Sequence, residues 1–103
     1  MYIYNLTAQV IPEHEQQWLE WVHKIHIPEM LGHAALKKVQ LLRIQAVQDS
    51  AQTYALQYHS PEKASYETFW KSHEAILLES FQKHFGAGVL TFATHLELIA
   101  NQQ

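Results

Sequence analysis

The chain has 103 residues, of which 48% are hydrophobic and 17% charged, with a formal charge of −3 and three Gly and three Pro. That composition bounds it to one domain, residues 1–103, with an ordered core and neither long linkers nor disorder. Seven Lys and Arg are too few for a nucleic-acid backbone footprint, and zero Cys exclude disulfides, zinc–thiolate sites, iron–sulfur clusters and cysteine nucleophiles.

Residues 2–11 open the chain with strict alternation: Tyr2, Tyr4, Leu6, Ala8 and Val10 share one face, and Ile3, Asn5, Thr7, Gln9 and Ile11 the other. This is the period-2 signature of a strand. No basic n-region or apolar h-region precedes it, and no stretch reaches membrane-spanning length, so a cytoplasmic protein with no membrane partner is expected. Pro12 stops the strand and suits a first helical turn, where Glu13 and Glu15 meet the positive end of the helix dipole. Trp18, Val22 and Ile25 then form an apolar stripe at i, i+4 and i+7. A break or kink is expected at His26-Ile27-Pro28, since the residue before proline is pushed towards extended geometry. One more turn follows, stopped by Gly32.

Residues 35–47 read as a long strand, with Leu42, Ile44 and Ala46 opposite Val39, Leu41, Arg43, Gln45 and Val47. Residues 48–52 form a polar hairpin connection into a partner strand at 53–59. Ser60-Pro61-Glu62 predicts a helix start with a hydroxyl cap, and Tyr66, Phe69, Trp70, His73, Ile76, Leu77, Ser80 and Phe81 trace the buried face of the helix, ended by Gly86. A last strand at 89–99 sets Leu90, Phe92, Leu96 and Leu98 against Val89, Thr91, Ala93, His95, Glu97 and Ile99, and a short polar tail follows.

The order βαββαβ predicts an α+β, ferredoxin-like sandwich: a four-stranded antiparallel sheet with two helices on one face. Right-handed crossovers place both helices on the same side and leave the other side bare. The faces carrying Tyr2, Tyr4, Leu6, Leu42, Ile44, Leu56, Leu90, Phe92 and Leu96 are expected under the helices. The bare face then holds apolar Ile3, Val39, Leu41 and Val89 beside polar Asn5, Arg43, Gln57 and His95. A homodimer in which two bare faces meet around a semi-polar cavity accommodates both sets.

The chain resembles the dimeric α/β-barrel proteins, and more closely a family of short bacterial proteins of unknown function. The resemblance is carried by Tyr2-Ile3-Tyr4-Asn5-Leu6-Thr7, Trp18-Leu19-Glu20-Trp21, His26-Ile27-Pro28-Glu29, the Tyr54–Tyr58 strand and Phe85-Gly86. It implies the same fold and no particular activity. Wider barrel relatives include cofactor-independent monooxygenases, haem-degrading enzymes and chlorite-dismutase-like proteins. The haem-degrading pattern of a strand Asn with a helix His and Trp is met only superficially by Asn5, Trp70 and His73 or His84, whose spacing departs from it.

Five residues stand out as ligand-binding candidates. His26, beside the proline break, reads either as a base or ligand-orienting donor or as a residue bonded to a carbonyl. Asn5, Arg43, Gln57 and His95 read either as a polar pocket, with Arg43 on a carboxylate or enolate and His95 exchanging its proton, or as a network fixing dimer register. The eight histidines include no group with standard metal-ligand spacing, so no metal is assigned. Without a Gly-rich phosphate loop, nucleophile elbow or paired-carboxylate signature, no cofactor is assigned either. Three readings stay open: a homodimer with a small-organic-ligand cavity and no assigned activity; a cofactor-independent monooxygenase or isomerase of an aromatic or enolisable substrate; and a purely structural or regulatory dimer.

Overall fold

The computed structural model describes residues 1–45 and 52–103. The chain runs β1 (Tyr2–Val10), α1 (Pro12–Trp21), a π-helical segment (Val22–His26), α2 (Ile27–Leu31), β2 (Lys38–Ile44), β3 (Gln52–Ser60), α3 (Lys63–Phe85), a 3₁₀ turn (Gly86–Gly88) and β4 (Val89–Glu97). The hairpin expected at 48–52, with the strand end at Ala46 and Val47, falls outside the described residues apart from Gln52, which opens β3. The strands form one four-stranded sheet in the order β2-β3-β1-β4 with every pairing antiparallel, the ferredoxin-like arrangement. Among the described residues, no helix is long and apolar enough to cross a membrane.

Alternation in β1 decides which side of the sheet is covered. Tyr4, Leu6, Ala8 and Val10 are fully buried, as are Leu56 and Tyr58 of β3, and they join Trp18, Val22, Trp70, Leu77 and Phe81 of the helices in one core. Trp70 stacks on Tyr4 at 3.8 Å between ring centroids, and Trp18 lies 5.1 Å from Tyr54. Each such aromatic contact adds about 1 kcal/mol to the burial of its rings.

The two edge strands are phased opposite to expectation. Leu41 faces Leu56 and Arg43 faces Tyr54, so Arg43 projects to the helix side while Leu42 and Ile44 project to the open face. In β4, Ala93 faces Leu6 and His95 faces Tyr4, which puts His95 on the helix side and sends Leu90, Phe92 and Leu96 out. Period-2 alternation fixes two faces per strand but not which one meets the helices. The larger apolar set points to the core only when the other face is wet; here the open face is itself apolar, with Leu90 63% and Phe92 60% exposed.

The helical segments also depart from expectation in two places. No extended break precedes Pro28: His26 and Ile27 keep helical dihedrals, and the Ile27 N–H reaches back to the Val22 carbonyl in a wide i→i−5 turn. That turn inserts one residue into the stripe. Ile25 is consequently turned out, 54% exposed, and His26 takes the inward position at 4%. At the other helix, Ser60 does not cap. It ends β3 fully buried, and the helix starts at Lys63 after Glu62, whose carbonyl accepts from Tyr66 N–H.

Candidate functional site

The five candidates separate into four places. Asn5 and Gln57 are register partners on the open face, where the Gln57 amide donates to Asn5 Oδ1 at 3.1 Å and the Asn5 amide donates to Thr7 Oγ1 at 3.2 Å. Gln40 and Thr94 extend them to a polar row crossing all four strands. Arg43 and His95 lie on β2 and β4, the opposite edges of the sheet, so they cannot converge on one ligand.

Arg43 is exposed and donates to the Tyr54 hydroxyl at 3.3 Å, while that hydroxyl donates to the Glu15 carboxylate. Burial, then the bond to Glu15, pushes the Tyr54 pKa up, and the hydrogen bond to Tyr54 pushes that of Arg43 up. This group ties β2 and β3 to α1.

His26 is enclosed between the helices and the sheet. Its Nε2 lies 2.7 Å from the Tyr58 hydroxyl, and its ring stacks on Trp21 at 5.0 Å. Burial lowers its pKa to about 4 and raises that of Tyr58 well above the usual phenol range, so both are neutral near pH 7. The placement suits a core pair more than a group that meets a ligand.

His95 lines a cavity of about 500 Å³ on the helix side at the β4 edge, together with Tyr2, Lys63, Tyr66, Glu67, Trp70, Lys71 and Glu74. Tyr66, Trp70 and Glu74 recur every four residues along α3 and form one wall. The Tyr4 hydroxyl donates to Glu74 Oε2 at 2.7 Å beneath the Trp70 ring. The Tyr66 hydroxyl lies 2.6 Å from His95 Nδ1 and 3.2 Å from the Ile3 carbonyl oxygen.

A tyrosine hydroxyl carries one proton, so both contacts are satisfied together when His95 Nδ1–H donates to Tyr66 and Tyr66 donates to Ile3. That tautomer leaves Nε2 with its lone pair available. Burial, followed by the Glu74 charge, pushes the Tyr66 pKa up to about 12, which keeps the hydroxyl protonated for this relay. The site thus sets a free imidazole nitrogen and a carboxylate beside aromatic walls, an arrangement able to bind a flat organic molecule and accept a proton from it.

The sequence pattern singles out His95 but not its setting. Trp70 and Tyr66 lie on the buried stripe of α3, and both also line the cavity. Glu74 carries its own signal in the sequence, a carboxylate continuing the i, i+4 series from Tyr66 and Trp70, which the apolar stripe alone does not include. A second cavity, about 530 Å³ on the other flank of α3, is lined mainly by Ala34, Ala35, Ala64, Ser65, Thr68 and Ser72, with Phe69 and His73. The His73 Nδ1 there is engaged with the Phe69 carbonyl at 3.0 Å. Among the described residues, no three His, Cys, Asp or Glu side chains could hold a metal ion.

A family model described as a domain of unknown function, DUF4286, matches residues 1–99. No curated protein matches the chain. Among solved structures it is similar to a candidate antibiotic biosynthesis monooxygenase from Deinococcus radiodurans, with 12% identity, 100% of this chain and 97% of that chain covered, and a TM-score of 0.72. It is also similar to an ethyl tert-butyl ether D family protein from Bacillus halodurans, at 16% identity, with 96% and 100% coverage and a TM-score of 0.66. A dimeric ferredoxin-like protein from an uncultured marine organism matches at 13% identity, with 98% and 97% coverage and a TM-score of 0.63. At such identities the likeness is one of fold.

Proposed function

The chain belongs to the DUF4286 family, a domain of unknown function, and on that premise we propose that it is a cytoplasmic homodimer in which each protomer binds a small organic molecule at the β4 edge. The observation that carries the ligand reading is the cavity of about 500 Å³ in which Tyr66 and His95, 2.6 Å apart, meet Trp70 and Glu74. The second copy covers the open face. Leu42, Ile44, Leu90, Phe92 and Leu96 are exposed there around the polar row, and a two-fold axis lets such a face meet itself. The dimeric state of the ferredoxin-like protein from the marine organism supports the same reading.

Ligand binding is testable through Trp70. Titration of tryptophan fluorescence with a panel of aromatic and enolisable compounds is expected to find one that changes the wild-type signal and leaves Trp70→Phe unaffected. A panel without response, or a response unchanged in Trp70→Phe, would count against the pocket.

The second reading, proton transfer on an aromatic or enolisable ligand, is favoured by the free Nε2 of His95. In it His95 removes the acidic proton, Tyr66 holds the imidazole tautomer, and Arg43 has no part because it stands at the far edge. Exchange of that proton in D₂O, followed by NMR on any bound compound, is expected to be lost in His95→Gln. Persistence of exchange in that variant would remove His95 from the reaction.

A further inference from the structure

Across its described residues the open face carries two ionisable side chains, Lys38 on β2 and His59 on β3, which are register partners. No carboxylate projects from the described strand positions of this face. His59 is buried already in the single chain, and its Nε2 lies 2.9 Å from Gln40 Oε1, so the neutral ring donates to the amide oxygen and leaves Nδ1 bare. Its other register partner is apolar Ile3 on β1, paired in turn with Leu96 on β4, and Met1, with its α-amino cation, precedes them. Among the described residues the charge that acts on His59 is the positive one of Lys38, and a second copy seated on the face would remove the remaining water.

Resting on the homodimer proposed above, we infer that His59 makes assembly through the open face pH-dependent: the dimer holds at neutral and alkaline pH and comes apart as the solution turns acidic. Protonation places a cation on an apolar, water-excluded surface next to Lys38, and the two-fold axis doubles the cost by burying both copies. The same causes already act in the single chain, where burial and then Lys38 lower the His59 pKa. The sign follows: the neutral form is the one that associates, so association is complete above the free-chain pKa and weakens as pH falls through it. Because each dimer buries two copies, the effect of one His59 on the dissociation constant is squared.

Sedimentation of the full chain and of His59→Gln, near pH 8 and near pH 5.5 with circular dichroism confirming the fold, tests this. The expected result is a wild-type dimer near pH 8 that weakens at least tenfold near pH 5.5, while His59→Gln, which keeps a polar partner for Gln40, changes little. A wild-type dissociation constant indifferent to pH, or an equal loss in His59→Gln, overturns the inference and leaves the dimer standing. A wild-type monomer near pH 8 overturns the dimer itself. NMR titration of the wild-type His59 ring gives an independent reading: its pKa must fall with rising protein concentration, and a concentration-independent value contradicts the inference.

Discussion

His26 shows how one side chain ties the fold to solution conditions. It is 4% exposed, its pKa is lowered to about 4 by burial, and its Nε2 meets the Tyr58 hydroxyl. Because the folded pKa lies below the unfolded value, the folded state binds fewer protons. Its contribution is full above about pH 6.5 and is lost as pH falls towards 4. Urea unfolding should therefore show stability dropping by on the order of 3 kcal/mol over that interval. His26→Phe should flatten the slope while costing about 1–2 kcal/mol near neutrality, because the Tyr58 hydroxyl loses its partner. An unchanged slope in the variant would assign the pH dependence elsewhere. At the other end of the sheet, Tyr66→Phe should free His95 to exchange tautomers, seen as a changed Nδ1/Nε2 pattern in its ¹⁵N shifts; an unaltered pattern would contradict the relay to the Ile3 carbonyl.

Elements were legible where the alternation or stripe had a single outlet. β1, the Gly86 stop and most of the buried face of α3 follow from local pattern; Ile76, expected inside, is instead 62% exposed, and Gly86 adopts φ +56°. Gly86→Ala should cost about 1–2 kcal/mol in chemical denaturation, since a Cβ there is strained even with open space around it. Gly88→Ala should destabilise by a different route, driving a Cβ into the His14 ring. If either variant matches the wild type, the corresponding account of this turn is wrong. What the sequence could not convey was phase. The π turn at Val22–His26 exchanges Ile25 for His26 on the inward side, and a helical wheel at 3.6 residues per turn has no means of placing that insertion.

At the scale of the whole molecule, the same gap in phase moved the site. A core placement of Leu90, Phe92 and Leu96 implies His95 on the open face, whereas register with β1 places it with Tyr66 in the helix-side cavity. The bare face, the helix layer and the need for cover were readable from crossover handedness; the depth of apolar character on that face was not, because it depends on how each edge strand pairs. Three large side chains, Leu90, Phe92 and Leu96, thus project from β4 on the face proposed to meet a second copy. Phe92→Asp should accordingly yield a folded monomer, read by light scattering together with circular dichroism; a dimer that survives this change would place the interface elsewhere.

Native mass spectrometry of protein purified gently from its own cells reads assembly and occupancy in one spectrum. The expected mass is that of two chains carrying a small-molecule adduct, with the adduct and not the dimer lost in Trp70→Ala. Single chains, or adduct-free dimers across repeated preparations, would contradict it.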